Sequence, residues 1–277
     1  MHGDIGVNMN TQNKSNLKTA LASWKASGEW LELKGHQIFV KDEGPSDLPV
    51  LLLIHGFPTS SWDWYGIWDT LKSRFRLVTL DMLGFGYSDK PNVRTYSIHG
   101  QADIVEALVA AKSLDQFHVL AHDYGDTVAQ ELLARQQQGV GAGTWLSCCF
   151  LNGGLFPETH RVFGERSKPT EEELRIFWDL INEKGGKHIF HNLITYMRDR
   201  KQHRERWVSA LHNSTIPLAL INGSVDPVSG AHMVARYKEL KCRLDYLGEL
   251  ASIGHYPQVE DPAGVVQHFI NFIDGKK

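Results

Sequence analysis

Five near-continuous apolar runs, each ending in a short polar turn, constrain this 277-residue chain more than any other feature. They are Val50–Ile54, Arg76–Leu80 and residues 119–122, 146–151 and 218–221. Runs of this kind fit strands covered on both faces, as in a parallel sheet. Between them, apolar residues recur with helical spacing, which predicts helices over 97–113, 126–138, 231–240 and 262–274. A last strand is expected at 243–247. Residues 29–33 and 36–40, joined by Lys34-Gly35, read as a hairpin with alternating faces. The expected fold class is α/β, a mostly parallel sheet covered by helices on both faces. The alternation breaks between about Pro157 and Trp207. Glu171-Glu172-Glu173-Leu174 and the aromatic residues Phe177, Trp178, Phe190 and Tyr196 mark that stretch as amphipathic and helical. Inserted between strands, it would sit over the strand ends as a cap. The expected organisation is a tail or helix over 1–27, a core from 28–156 and 208–277, and a helical cap over 157–207.

Composition narrows the function. Apolar residues make up 42% and charged residues 22%, ordinary for a soluble globular chain. A net charge of -3 gives no pull toward nucleic acid or an anionic membrane. No apolar run is long enough to span a bilayer, and the first twenty residues lack the apolar core of a secretion signal. A cytoplasmic location is expected. Cys148, Cys149 and Cys242 form no CxxC pattern and read as buried free thiols.

The chemistry concentrates in Val119-Leu120-Ala121-His122-Asp123-Tyr124-Gly125-Asp126. A strand, a sharp turn and then a helix is the setting of a nucleophile elbow, and the residue at its tip is Asp123. A carboxylate there attacks carbon and forms an ester, which an activated water must then hydrolyse. Asp226 and His255 follow in the order acid, histidine. In this reading His255 deprotonates the water, and Asp226 orients and charges the imidazole. Two backbone N–H groups, of Phe57 and Tyr124, would form the oxyanion hole. Each residue has a plainer role to compete with: a helix cap for Asp123, a turn residue for Asp226, a loop histidine for His255. Tyr196 is a candidate electrophile that hydrogen-bonds or protonates an alkoxide, with core packing as the alternative. Trp62, Trp64 and Phe85 are candidate pocket walls or packing residues. His55, Asp81, Asp123, Asn152, Asp226 and the turn before His255 all fall at strand ends, where functional groups of such sheets gather.

These motifs resemble the α/β-hydrolase superfamily, specifically its epoxide hydrolase and haloalkane dehalogenase branch. The resemblance is carried by His55-Gly56-Phe57-Pro58, Asp81-Met82-Leu83-Gly84-Phe85-Gly86-Tyr87-Ser88-Asp89-Lys90-Pro91, His122-Asp123-Tyr124-Gly125-Asp126 and Gly254-His255-Tyr256-Pro257. Within the branch, Asn152-Gly153-Gly154-Leu155-Phe156-Pro157-Glu158-Thr159-His160-Arg161 and Tyr256-Pro257-Gln258-Val259-Glu260-Asp261-Pro262 are similar to the mesoderm-specific transcript-like hydrolases. The resemblance implies the α/β-hydrolase fold with a helical cap and no cofactor or metal. It departs at Tyr124, where dehalogenases carry a halide-binding tryptophan. At the position where some of them place the acid, this chain has Asn152. Epoxide hydrolases supply two cap tyrosines, and only Tyr196 matches here. After Arg161 relatives carry some tens of further residues, so the cap is either reduced or incompletely represented.

The leading expectation is a hydrolase that forms an alkyl–Asp123 ester with an epoxide. A haloalkane or haloacid dehalogenase is the first alternative, and a non-catalytic binding protein on a hydrolase scaffold is the second. The expected partners are a small apolar electrophile and water, with no nucleic acid, and the chain would be a monomer or homodimer.

Overall fold

The computed structural model describes residues 6–92, 96–159 and 170–275, with side chains from residue 16 onward. The first five residues, and the His160-Arg161 stretch where the cap was expected to be short, lie outside the described residues. The chain opens with helix α1 (Gly6–Ala26). Strands β1 (Glu29–Leu33) and β2 (His36–Glu43) follow as a hairpin, in which Leu33 pairs with His36. Lys34 and Gly35 both adopt positive φ, as a two-residue turn between twisted strands requires. Next come β3 (Val50–Ile54), a 3-10 turn at Ser61–Trp64, α2 (Tyr65–Lys72), β4 (Arg76–Leu80) and α3 (Ile98–Ala111). Then come β5 (Gln116–His122), α4 (Tyr124–Gln137) and β6 (Thr144–Leu151). Among the described residues four α-helices intervene: α5 (Glu171–Asn182), α6 (Phe190–Leu193), α7 (Tyr196–Gln202) and α8 (Arg204–His212). The chain finishes with β7 (Leu218–Gly223), α9 (Ala231–Glu239), β8 (Tyr246–Leu250), α10 (Pro257–Glu260) and α11 (Pro262–Ile273).

The sheet has eight strands in the order β1-β2-β4-β3-β5-β6-β7-β8. The β1–β2 and β2–β4 pairs are antiparallel and the rest are parallel. Each face carries its own core. Leu52, Ile54, Val119 and Ala121 pack on one side, while Leu51, Leu53, Leu120 and Leu151 pack on the other. Burial on both faces explains the unbroken apolar runs in the sequence.

The structure corrects the sequence reading in three places. The last strand is Tyr246–Leu250, not 243–247. Asp245 accepts the Leu218 amide at 2.8 Å and the Arg243 guanidinium at 2.7 Å, which makes residues 243–245 a bend into the strand. Helix α4 begins at Tyr124, two residues before the expected start. Helix α2 was missed, although Ile67, Trp68 and Leu71 supply its buried face at helical spacing. All three cysteines are buried and free. Among the described residues no helix is long and apolar enough to cross a membrane.

Candidate active site

The carboxyl ends of β3, β5, β6 and β7 and the turn after β8 converge on one site. Asp123 stands between β5 and α4 with φ 48° and ψ −105°. That left-handed conformation is strained for a non-glycine residue and costs about 1–3 kcal/mol. Neighbouring glycines let the turn close. A Cβ on Gly125 would sit 2.3 Å from the Ile54 carbonyl oxygen. One on Gly56 would sit 2.6 Å from His122 Nδ1 and 2.9 Å from Asp123 Cβ.

The Asp123 carboxylate is 3% exposed. The Phe57 amide donates to its Oδ2 at 3.0 Å. Its Oδ1 lies 3.6 Å from His255 Nε2. The other imidazole nitrogen, Nδ1, meets Asp226 Oδ2 at 2.8 Å. The three residues expected to act together are therefore in contact. Tyr124 opens α4, so its amide is among the donors that a first helical turn leaves without an intrahelical partner.

Asp226 is held in a dense set of donors. Asn152 Nδ2 donates to Oδ2 at 2.9 Å, Ser229 Oγ to the same oxygen at 2.7 Å, and the Val228 amide to Oδ1 at 2.8 Å. Burial would raise its pKa. The hydrogen bond and charge of His255, with Asn152 and Ser229, outweigh burial and hold it far below the usual carboxylate range. Burial would likewise lower His255, but Asp226 and then the charge of Asp123 lift it to about 9. His122 is the reverse case. Burial, then the nearby His255 charge, lowers it to about 4, so it is neutral. Its Nε2 donates to the His255 carbonyl at 2.8 Å. The Tyr256 hydroxyl donates to the Phe57 carbonyl at 3.2 Å. The turn after β8 is thus docked onto both the elbow and the Phe57 loop. Sequence reasoning missed Ser229 and the docking role of Tyr256; a serine three residues beyond Asp226 was the one local signal.

Tyr196 reaches the site from α7. Its ring centroid lies 4.7 Å from Tyr124 and 6.2 Å from Phe57, and the Arg200 guanidinium lies 5.2 Å over its face. Burial, then the Asp123 charge, raises its pKa, so the phenol is protonated. Phe85 packs beside His55, Phe57 and Tyr124, at 5.1, 6.3 and 5.5 Å. Trp64 is wholly buried, 6.5 Å from His122. Trp62 packs against Trp24 at 5.7 Å and Tyr65 at 4.4 Å. Phe190 covers Phe57 at 4.9 Å, and Phe177 stacks on Tyr256 at 5.5 Å. Among the described residues no three His, Cys, Asp or Glu side chains are grouped to hold a metal ion.

An elbow carboxylate, an imidazole and a buried acid on an eight-stranded, mostly parallel sheet define a class. Residues 49–165 match the family model for the alpha/beta hydrolase fold. The chain is 40% identical to the mesoderm-specific transcript protein of Mus musculus, over 93% of this chain and 89% of that one. It is 41% identical to the human homologue over the same shares. The loop variant of a haloalkane dehalogenase from Bradyrhizobium elkanii has the same fold, with a TM-score of 0.76 at 21% identity, covering 90% of this chain and 96% of that one. The chain belongs to the α/β-hydrolase superfamily and, within it, to the family of the mesoderm-specific transcript proteins. The alignment to the mouse relative is 298 positions long yet uses only 93% of this chain, so some tens of its positions have no counterpart here.

Proposed function

We propose that this protein is a hydrolase that works through a covalent ester on Asp123, with an epoxide as substrate. One observation carries the reading: a strained elbow carboxylate with one oxygen held by the Phe57 amide and the other facing His255, itself paired to Asp226. A carboxylate serving only as a helix cap would accept hydrogen bonds from the first backbone N–H groups of its own helix, and Asp123 makes no such side-chain bond.

In the first step Asp123 Oδ1 attacks an epoxide carbon. The ring C–O bond breaks, and the alkoxide takes the Tyr196 proton. In the second step His255 takes a proton from water, and the resulting hydroxide adds to the ester carbonyl. The Phe57 and Tyr124 amides receive the oxyanion. The bond from the acyl carbon to the alkyl oxygen then breaks. The regenerated carboxyl gives its proton to the departing alkoxide, and the imidazolium returns one to Tyr196. The product is a diol. Ester formation also removes the Asp123 charge, one of the influences that hold His255 up, and so favours its basic form when a base is needed. The helices α5–α8 serve as the cap, with Phe190 and Tyr196 roofing the aromatic floor of Phe57, Phe85 and Tyr124.

The test is turnover of aryl and alkyl epoxides, haloalkanes and an activated ester by the protein and by Asp123→Asn. Diol formation that the variant loses supports the reading; halide release makes the protein a dehalogenase instead. Turnover undiminished in Asp123→Asn would sink the covalent mechanism.

A further inference from the structure

A cavity of about 210 Å³ is bounded by α1, the 3-10 turn, the start of α2, α5, α10 and the first residue of α11. Its walls include three aromatic rings, Trp62, Tyr65 and Phe177, and two acids, Asp63 and Glu173. None of the described residues lining it is basic. Trp62 and Tyr65 stack with centroids 4.4 Å apart and planes 16° apart. Asp63 is 1% exposed. Its Oδ2 accepts the Thr59 hydroxyl, and its Oδ1 has no hydrogen-bond partner. A buried acceptor left unmatched costs about 1–3 kcal/mol. Gln258, on the α10 turn that packs against the 3-10 turn, is also wholly buried with neither amide atom bonded.

Burial pushes the Asp63 carboxyl well above its usual range; the Asp81 and Asp123 charges push the same way, against the Thr59 hydrogen bond and the His255 charge. An anion would meet the two lining acids, Asp63 and Glu173, whereas a cation relieves them. Aromatic faces with an acid, and with no competing base, are the chemistry that holds an organic ammonium group.

We propose that this cavity binds a small organic ammonium ion, with its charge at Asp63 and its apolar part among Trp62, Tyr65 and Phe177. The inference does not depend on the nucleophile assigned to Asp123. The ammonium group belongs either to a free ligand or to one end of the substrate. Phe177 lines the cavity and stacks on Tyr256, next to His255, so occupancy reaches the triad through one ring pair.

The experiment is calorimetric titration of the full chain with choline and with its neutral isostere 3,3-dimethylbutan-1-ol. Choline should bind saturably and at least about tenfold tighter than the isostere. Asp63→Asn, which preserves shape, should weaken choline about tenfold while leaving circular dichroism and Tm unchanged. Tyr65→Leu, at a position 43% exposed, should weaken it without unfolding the chain. Competitive inhibition of turnover by choline would assign the ammonium to the substrate, and binding without competition would assign it to a separate ligand. Equal affinity for the two compounds, no saturation with choline, or full affinity in Asp63→Asn would each overturn the proposal.

Discussion

At the scale of single residues, the site is a set of groups that shift one another. His255 titrates at about 9 in the folded protein, against 6.5 for an ordinary imidazole. A raised histidine contributes stability that is complete below its unfolded value and is lost as pH climbs through its folded value. Asp226 is depressed, so its contribution is complete above the ordinary carboxylate range and fades only in acid. Asp226→Asn should therefore cost most near pH 6, and its Tm deficit should shrink toward pH 9. Thermal melts across that interval check this; a constant deficit would refute the coupling. His255→Gln should let the ester form but not break, and intact-protein mass spectrometry should show an adduct on Asp123 after substrate addition. Absence of an adduct, with a substrate the parent turns over, would remove His255 as the water-activating base. Gly56→Ala forces a methyl against His122 and Asp123. It should cost roughly 1–3 kcal/mol and most of the activity.

At the scale of elements, the helical stretch is fastened to the sheet at defined points. Glu131 on α4 is 1% exposed and accepts Arg135, Arg206 and the Trp207 indole at 2.9, 2.8 and 2.9 Å. Burial would raise its pKa, but these donors bring it to about 2. Its contribution is present above the ordinary carboxylate value and is lost as pH falls toward 2. Glu131→Ala leaves the Arg206 guanidinium and the buried Trp207 indole without their partner, while Arg135 keeps Asp103 and Glu106. It should lower stability by about 3 kcal/mol, or Tm by roughly 6–12 °C, measured by calorimetry at neutral pH. A loss below about 1 kcal/mol would mean that α8 is held by apolar packing alone. Helix α1 is fastened to the 3-10 turn, where the Trp24 indole donates to Ser61 at 3.3 Å, and to the end of α5, where Lys25 pairs with Glu183 at 3.4 Å.

At the scale of the whole molecule, stability comes from two cores on one sheet and owes nothing to a disulfide among the described residues. Tm should be the same with and without reductant; a fall on reduction would contradict the free-thiol state. The strands and the connections α3, α4, α9 and α11 were readable because burial on both faces leaves continuous apolar runs, and packing on one face leaves helical spacing. Helix α2 carried the same signal in eight residues, too short to stand out beside two tryptophans. Residues 243–247 misled because the apolar pattern there is weak and an ion pair, not burial, sets the bend.

The sequence by itself determined the carboxyl ends of β3, β4, β5 and β6 and the order of Asp123, Asp226 and His255, since both follow from local pattern. Only the tertiary structure decided that these side chains meet. It also decided that Asn152 and Ser229 share one oxygen of Asp226, that Trp62 packs against Trp24, and that Asp63 is buried beside a cavity. The physical reason is range. Periodicity records which side of an element is dry, whereas hydrogen-bond partners, pKa shifts and cavities are set between residues far apart in the chain, such as Phe57 and Tyr256.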